Sequence, residues 1–424
     1  MQLPAMMPAM FVLYEVLLYL VLILALPYFL FAGVFRGKYV ANFPERMGFY
    51  RTPAAAHDLW IHAVSVGETL AARPVVDEIL RQRPSTTIVF TTTTITGQAQ
   101  ARRLFPEATV TYFPFDFASS VNRFLGQHRP RVFATMETEI WPNATRLSRT
   151  RGLRLLLANG RISDRSFPRY RLLRPFVASV LRQYDRILAR EETDRERFIA
   201  IGAPAAIVET SGNVKFDYLP DDRPLEIAAR METLIAGRKV LVLGSTMEGE
   251  DEALIAELGG FIASHNAFVI IAPRKPERFE IVAELLAVAK IRFVRRTDWN
   301  EGPADVLLLD TFGELAKIYR FATAAFIGGS LVRTGGHNPI EPAAAGVPVC
   351  FGPHMSNFRE IARVFLRDGG AVEARDAAAV FTFAARMLGD GAARRAISDR
   401  ARRTVEQNRG AAARTGARIV ELLA

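Results

Sequence analysis

The fold class follows from the sequence LWIHAVSVGET, residues 59–69. Its apolar half, Leu59–Val64, has the length and composition of a buried strand. A loop with serine, glycine and glutamate comes next, and residues 71–82 then have the composition of a helix. These residues therefore predict the strand–loop–helix unit from which parallel sheets with covering helices are built.

The same unit recurs along the chain in two series. Predicted strands of the first series lie at residues 59–64, 87–92, 110–114, 131–136, 155–159 and 187–189, and those of the second at 240–244, 268–273, 291–294, 306–309, 324–327 and 347–351. Residues 215–224, which contain Asp, Pro and other turn residues, separate the two series. The sequence therefore predicts an α/β protein with two Rossmann-like doubly wound domains, joined near residue 220. Ligands of such sheets bind outside the carboxyl ends of the strands, which with two domains means the cleft between them.

Composition narrows the possible functions. The chain has 424 residues, 50% of them hydrophobic, which is a globular rather than a disordered composition. A single cysteine, Cys350, excludes a disulfide framework, and its apolar neighbours predict a buried thiol on a strand. The net charge of +10 favours anionic partners, but the chain has none of the usual nucleic-acid-binding signatures.

Arginines are concentrated in one stretch of the chain. Eight of them occur from Arg161 to Arg190, together with only Asp164 and Asp185. Two interpretations stay open: a solvated basic face, or a surface that lies against anionic membrane lipid.

The first residues of the chain predict a membrane anchor. Residues 1–34 contain no Lys or Arg, and the stretch from Phe11 to Gly33 is almost wholly apolar, interrupted by Glu15 and Pro27. A membrane-spanning helix needs about 20 such residues. Basic residues follow at once, and the positive-inside rule then places the rest of the chain in the cytoplasm. A helix that lies in the membrane interface is the alternative.

In the first predicted domain, polar residues follow several strands. Glu68 comes after the first strand, Glu137 and Glu139 after the fourth, Asn159-Gly160-Arg161 after the fifth, and Lys215 lies in the turn at the domain junction. A carboxylate at such a place can serve as a general base. The alternative for Glu68 is a first-turn residue that complements the helix dipole. Each group could be turn chemistry, but their shared position at strand ends predicts a site.

In the second predicted domain, small and basic residues follow the strands. Residues 244–250 and the glycine-rich run 328–343 offer backbone amides to an anion, and Arg274 lies in a run of three cations after another strand. Glu341 suits the two hydroxyls of a ribose. The chain contains no Asp-x-Asp sequence and no zinc-like spacing of His and Cys, so neither a metal nor a metal-bound nucleotide diphosphate is expected.

Taken together, these motifs resemble a known family, the 3-deoxy-D-manno-octulosonic acid (Kdo) transferases. The resemblance covers nearly the whole chain and is carried by SVGET at 65–69, METEIWPN at 136–143, PRKPERF at 273–279 and GGHNPIE at 335–341. It implies a GT-B fold with an N-terminal transmembrane helix at residues 1–35, an acceptor-binding domain at 36–220 and a nucleotide-sugar-binding domain at 221–424. It also implies the inner membrane as location, with the catalytic domains on the cytoplasmic side.

The resemblance further implies the reaction and the residues that perform it. The donor would be CMP-Kdo and the acceptor the lipid A precursor lipid IVA, with no cofactor. Glu68 would be the general base, and Glu137 and Lys215 would stabilise the transition state. The residues that would hold CMP are Pro273, Arg274, Phe312, Gly313, Glu314, Asn338, Pro339, Ile340 and Glu341. Phe312 departs from the family pattern, which has Met at that position.

Two other functions remain open at this point. One is another GT-B glycosyltransferase that uses a UDP-sugar and a lipid acceptor. The other is a membrane-bound nucleotide-sensing or scaffold protein without activity. The presence of Glu68, Arg274 and Glu341 argues against a decayed site.

Overall fold

The computed structural model describes residues 6–36, 42–50, 53–218, 228–299 and 302–424. The chain divides into two compact units, one of residues 1–218 with 409–424, the other of residues 219–408. Each unit has its own seven-stranded sheet, and all the strand pairings are parallel. The prediction of an α/β protein with two doubly wound sheets is therefore confirmed.

The sheet of the first unit has the order β3-β2-β1-β4-β5-β6-β7. Its strands are β1 (His57–His62), β2 (Ile88–Thr92), β3 (Thr109–Tyr112), β4 (Pro130–Met136), β5 (Arg154–Gly160), β6 (Arg186–Ala189) and β7 (Val208–Thr210). Its helices are α1 (Met6–Arg36), α2 (Phe43–Arg46), α3 (Val66–Gln82), α4 (Ile95–Leu104), α5 (Ala118–His128), α6 (Pro142–Thr150), α7 (Phe167–Leu172), α8 (Arg174–Leu181) and α9 (Glu192–Ala200), and 3-10 turns lie at Ala205–Ile207 and Val214–Asp217. The strand order reverses between β1 and β4, which is where doubly wound sheets bind their ligands.

The sheet of the second unit has the order β10-β11-β9-β8-β12-β13-β14. Its strands are β8 (Val240–Thr246), β9 (Phe268–Pro273), β10 (Phe293–Arg295), β11 (Val306–Leu308), β12 (Ala324–Ile327), β13 (Val349–Phe351) and β14 (Ala371–Glu373). Its helices are α10 (Ala228–Ile235), α11 (Glu250–His265), α12 (Phe279–Val288), α13 (Leu315–Ile318), α14 (Ile340–Ala344), α15 (Arg359–Arg367), α16 (Ala377–Gly389) and α17 (Gly391–Asn408), with 3-10 turns at Pro276–Arg278 and Tyr319–Phe321. The order reverses between β8 and β12.

Both sheets are buried on their two faces, as continuous apolar strands require. Leu59, Trp60 and Ile61 of β1 are at most 1% exposed, and the Trp60 ring stacks on Phe133 of β4 at a centroid distance of 3.7 Å. Cys350 is fully buried on β13, as its neighbours predicted.

The last helix, α18 (Ala411–Leu423), corrects the predicted domain bounds. It belongs to the first unit, although the sequence placed residues 221–424 together. The Asp217 carboxylate accepts hydrogen bonds from the amides of Gly410 (2.6 Å) and Ala412 (2.8 Å), and α18 packs against α3. An acidic side chain at a helix N-terminus satisfies amides that have no partner within the helix. Asp217 therefore fixes the return of the chain to the first unit.

Helix α1 contains residues 6–35 of the predicted membrane anchor, including Glu15, the acidic residue that interrupts its apolar stretch. The Glu15 carboxylate accepts hydrogen bonds from the Ala118 amide (3.0 Å) and from the Asn143 side chain (2.5 Å), so it is paired with the protein. Phe11 is buried against Phe176. Within the residues described, we find no helix that is both long and apolar enough to cross a membrane, so the predicted span is not confirmed.

Candidate active site

Glu68 lies in the first turn of α3, directly after β1. Its carboxylate accepts hydrogen bonds from the Val64 amide (2.7 Å) and from the Ser65 hydroxyl (3.1 Å). Burial and the negative charge of Glu137 raise the pKa of Glu68 to about 7, although these hydrogen bonds and the charge of Lys215 act in the opposite direction. A carboxyl group with this pKa can accept a proton near neutral pH, as a general base must.

Glu137 follows β4, the strand next to β1. One of its carboxylate oxygens, Oε1, lies 2.5 Å from a guanidinium nitrogen of Arg190 and 3.1 Å from Nζ of Lys215. Burial acts to raise the pKa of Glu137, but the charges of Arg190 and Lys215 outweigh it and lower this pKa to about 2. Glu137 is therefore a permanent carboxylate at neutral pH.

Glu139 is the third acid at this edge of the sheet. Burial and the charges of Glu68 and Glu137 raise the pKa of Glu139 to about 8. The two acids after β4 therefore differ in charge near neutral pH. Two neighbouring cations lower the pKa of Glu137, whereas the pKa of Glu139 is raised by burial and by the two neighbouring carboxylates. Neighbouring carboxyls whose environments separate their pKa values are typical of active sites.

The first unit thus brings together the three residues predicted to be catalytic. Glu137 acts electrostatically on Glu68 and forms an ion pair with Lys215. Glu68 and Glu137 follow β1 and β4, and Lys215 lies in the 3-10 turn Val214–Asp217 after β7. The sequence did not single out Arg190, which it placed with seven other arginines on a basic face. The side chain of Arg190 is only 4% exposed, whereas Arg165, Arg169, Arg171, Arg174 and Arg182 are exposed.

In the second unit, the glycine-rich turn after β12 is held by a carboxylate of the protein itself. Glu250, in the first turn of α11, accepts hydrogen bonds from the amides of Gly329 (2.6 Å), Ser330 (2.8 Å) and Leu331 (2.7 Å). It also accepts one from the Met247 amide at 3.1 Å. These amides were expected to bind an anionic ligand. That interpretation is wrong for them, because the anion that they bind is the Glu250 side chain.

Replacing Glu250 with Gln is expected to destabilise the second unit by about 1–3 kcal/mol. The new amide would present N–H groups to backbone N–H groups and leave buried donors without an acceptor. Glu248→Gln is the matched control, since Glu248 is exposed in the same loop. Chemical denaturation of both variants measures the change. Equal stability of the two variants would contradict this structural role.

A second group of polar residues lies at the end of the glycine-rich turn. The Asn338 side chain donates a hydrogen bond to Glu341 (3.2 Å) and accepts one from the Ile340 amide (3.0 Å). Burial raises the pKa of Glu341, and the Asn338 hydrogen bond and the charge of Arg274 act against this rise. Arg274 follows buried Pro273 and is itself exposed. Arg274, Asn338 and Glu341 therefore form one cluster within this unit, together with Pro339 and Ile340.

The turn after β11 contains the remaining predicted nucleotide-binding residues. Gly313 has φ = +85°, a conformation that favours glycine. The Glu314 carboxylate accepts a hydrogen bond from the Thr311 hydroxyl and forms an ion pair with Arg296 at 3.1 Å. Phe312 is 54% exposed, and its ring lies 5.7 Å from that of Phe279. An exposed aromatic ring beside a glycine turn is available to a flat ligand such as a nucleobase.

Part of the chain matches a known protein family, and most of it matches known proteins. Residues 41–218 match the family described as 3-deoxy-D-manno-octulosonic-acid transferase (kdotransferase). A 3-deoxy-D-manno-octulosonic acid transferase of Bordetella pertussis is 37% identical over 395 residues, which cover 89% of this chain and 91% of that protein. One from Haemophilus influenzae is 34% identical over 383 residues, covering 88% of this chain and 90% of that protein.

Solved structures with similar folds are more distant in sequence. The UDP-GlcNAc 2-epimerase from Neisseria meningitidis has a TM-score of 0.59 at 12% identity, over 87% of this chain and 99% of that one. A glycosyltransferase from Rickettsia africae has a TM-score of 0.56 at 11% identity, over 87% and 98%. These structures show the fold, which is GT-B-like. The sequence relatives show the family: this chain belongs to the 3-deoxy-D-manno-octulosonic acid transferases.

Proposed function

We propose that the protein transfers Kdo from CMP-Kdo to lipid IVA in the synthesis of the lipopolysaccharide core. The observation that carries this proposal is the grouping of Glu68, Glu137 and Lys215 at the carboxyl edge of the first sheet. The experiment is incubation of the full-length protein with CMP-Kdo and lipid IVA, followed by mass spectrometry. We expect the lipid to gain Kdo and CMP to be released.

Glu68 is the general base of this reaction. An acceptor hydroxyl forms a bond from its oxygen to the anomeric carbon of Kdo, and the bond from that carbon to the phosphate oxygen of CMP breaks. The hydroxyl proton passes to the Glu68 carboxylate, and CMP leaves with the bonding electron pair. The pKa of Glu68, about 7, leaves a substantial carboxylate fraction at neutral pH and keeps this group basic enough to take a proton.

Glu137 and Lys215 stabilise the charges that develop in the transition state. Positive charge on the sugar ring is stabilised by the permanent carboxylate of Glu137. Lys215, whose side chain is 20% exposed, supplies a positive charge to the anionic groups of the donor. Fixed charges in a partly buried site act more strongly than the same charges in water.

Arg274, Phe312 and Glu341 are proposed to bind CMP in the second unit. Arg274 would pair with the single phosphate, Glu341 would accept from the ribose hydroxyls and Phe312 would contact the cytosine. Gly313, Glu314, Asn338, Pro339 and Ile340 would complete the site through their backbone or by orienting these groups. This proposal is supported by the cluster of Arg274, Asn338 and Glu341 and by the exposed ring of Phe312.

Arg274→Ala is expected to weaken CMP binding about 10- to 150-fold. A charge-assisted contact contributes about 1.5–3 kcal/mol, which corresponds to that range. Calorimetry with CMP measures the change. Lys275→Ala is the matched control, because it removes an exposed cation from the next residue. Unchanged CMP affinity in folded Arg274→Ala would place the nucleotide elsewhere.

The alternative donor, a UDP-sugar, is tested by nucleotide competition. We expect CMP to compete with the donor and UDP to have little effect. Competition by UDP alone would favour the alternative.

Association with the inner membrane is proposed through helix α1 and the arginine-rich surface. Residues of α1 between Val12 and Leu24 expose a row of large apolar side chains, among them Leu24 at 71%. Leu172 and Leu173 are 83% and 56% exposed, next to the exposed arginines of α7 and α8. Apolar side chains flanked by arginines suit an anionic lipid surface. The basic residues after α1 support the cytoplasmic side.

Removal of residues 1–35 is expected to release the protein from membranes only in part. The basic surface of α7 and α8 retains affinity for anionic lipid, and salt screens that affinity. Co-sedimentation with anionic vesicles at increasing salt measures it, with uncharged vesicles as the control. If the truncated protein stays bound at high salt, charge is not what retains it.

A further inference from the structure

Arg190 is a buried cation that directly follows β6 and is paired with Glu137. Its backbone amide donates to the Gly160 carbonyl (3.0 Å), and its Nε donates to the Asn159 carbonyl (3.2 Å). Another nitrogen of its guanidinium makes the ion pair of 2.5 Å with Glu137. One guanidinium thus joins the end of β5 to the Glu137 carboxylate.

Asn159, the residue that Arg190 contacts, also reaches the turn that carries Lys215. It is fully buried and has φ = +56°, in the left-handed region where Asn is better tolerated than most residues. Its side-chain oxygen accepts a hydrogen bond from the Val214 amide at 3.2 Å. The preceding residue, Ala158, accepts one from the Glu137 amide at 2.8 Å. The end of β5 therefore contacts the backbone of Glu137, its ion-pair partner Arg190 and the turn that carries Lys215.

We propose that Arg190 and Asn159 are positioning residues of the transfer reaction: Arg190 fixes the Glu137 carboxylate, and Asn159 fixes both Arg190 and the turn that carries Lys215. This inference rests on the roles proposed above for Glu137 and Lys215. Neither residue is a catalytic residue itself, since the Arg190 side chain is only 4% exposed and Asn159 is buried.

The charge balance explains why a second cation is needed beside Glu137. Arg190 pairs with Glu137 from the buried side, and the more exposed Lys215 pairs with the same oxygen. Lys215 can therefore turn towards an anionic substrate without leaving Glu137 as an unpaired buried charge, which would be costly. Arg161 also lowers the pKa of Glu137. Glu137 raises the pKa of Glu68, and Glu68 and Glu137 raise that of Glu139.

Only arginine has the donors that this position requires. Its planar guanidinium presents several nitrogens at once: here Nε donates to the Asn159 carbonyl and another nitrogen forms the ion pair with Glu137. Lysine concentrates its charge at one nitrogen. Arg190→Lys is therefore expected to behave like Arg190→Gln in turnover. Asn159→Gly keeps the left-handed backbone accessible and removes the acceptor for Val214. We expect it to lower turnover as well.

A double-mutant cycle with Glu137→Gln tests the proposal in the full-length protein. Arg190→Gln alone is expected to lower the single-turnover rate about 10- to 100-fold, the range known for residues that orient metal-binding side chains in other proteins. In the Glu137→Gln background the same change is expected to cost little more, because its target is already gone. CMP binding and thermal stability are measured on every variant. Arg149→Gln, which removes an ion pair with Asp185 in the same unit, is the control and should leave turnover unchanged.

The outcomes separate this inference from the proposed function. An equal further loss from Arg190→Gln in the Glu137→Gln background would overturn the positioning role. Normal turnover of Glu137→Gln alone would instead contradict the role proposed for Glu137. If Arg190→Gln alone does not fold, the double variant, which contains neither buried charge, is compared with Glu137→Gln, and a large further loss of turnover in it overturns the positioning role.

Discussion

Glu68→Gln is expected to lower turnover about 10²–10⁴-fold while the protein folds and binds CMP normally. Glutamine has nearly the same shape and can still accept a hydrogen bond from Val64 or Ser65, so the start of α3 is preserved. It cannot take a proton from the acceptor hydroxyl. Single-turnover rates and thermal stability, measured on the same preparation, separate the chemical role from a structural one.

The wild-type rate should also depend on pH in a way that identifies this base. Burial and Glu137 raise the pKa of Glu68 to about 7, and only the deprotonated form can act. The rate is therefore expected to rise with pH through about 7 and to fall as the carboxylate is protonated below it. Asp77→Asn, at an exposed position of the same helix, should leave both the rate and this profile unchanged.

A purely structural role for Glu68 predicts a different result. A carboxylate at the start of α3 would contribute a few tenths to about 1 kcal/mol through the helix dipole, and its loss would leave turnover near normal. Lowered stability with retained turnover would contradict the catalytic assignment. The search for the base would then pass to Glu137 and Glu139.

The sequence predicted that Glu68 and Glu137 lie at one edge of the first sheet because parallel sheets impose this grouping. Polar residues after β1 and β4 must meet at one edge when these strands are neighbours, and the strand order makes them so. Strand ends alone therefore singled out Glu68 and Glu137 as candidates, and the resemblance to the transferase family supplied the roles expected of them. The sequence also singled out Lys215, in the turn at the domain junction, and the resemblance to the transferase family supplied the role expected of it.

What the sequence could not predict are contacts between residues far apart in the chain. Arg190 resembles the seven arginines before it, and only burial next to Glu137 distinguishes it. Glu250 looks like a residue of a phosphate-binding loop, but its partners lie about eighty positions later, at Gly329 to Leu331. Glu15 likewise finds its partners at Ala118 and Asn143. Periodicity and local motifs carry no information on such pairings.

Lys215→Met is expected to lower turnover about 10²–10³-fold, the range found when one group that stabilises a transition-state charge is removed. Methionine keeps much of the length of the side chain without its charge. Glu137 would keep its ion pair with Arg190, so the fold and the Glu137 carboxylate should persist. Single-turnover measurements at saturating donor test this expectation.

The pH profile of Lys215→Met gives a second and independent readout. The charge of Lys215 lowers the pKa of Glu68, so its loss should raise that pKa and move the acid limb of the profile to higher pH. Lys215→Arg keeps the charge and should keep the limb near its wild-type position, even if the altered shape slows the reaction. An unshifted limb in Lys215→Met together with normal turnover would show that Lys215 serves only to neutralise Glu137. In that case Arg190 would be sufficient to hold Glu137, and another cation would have to meet the anionic groups of the donor.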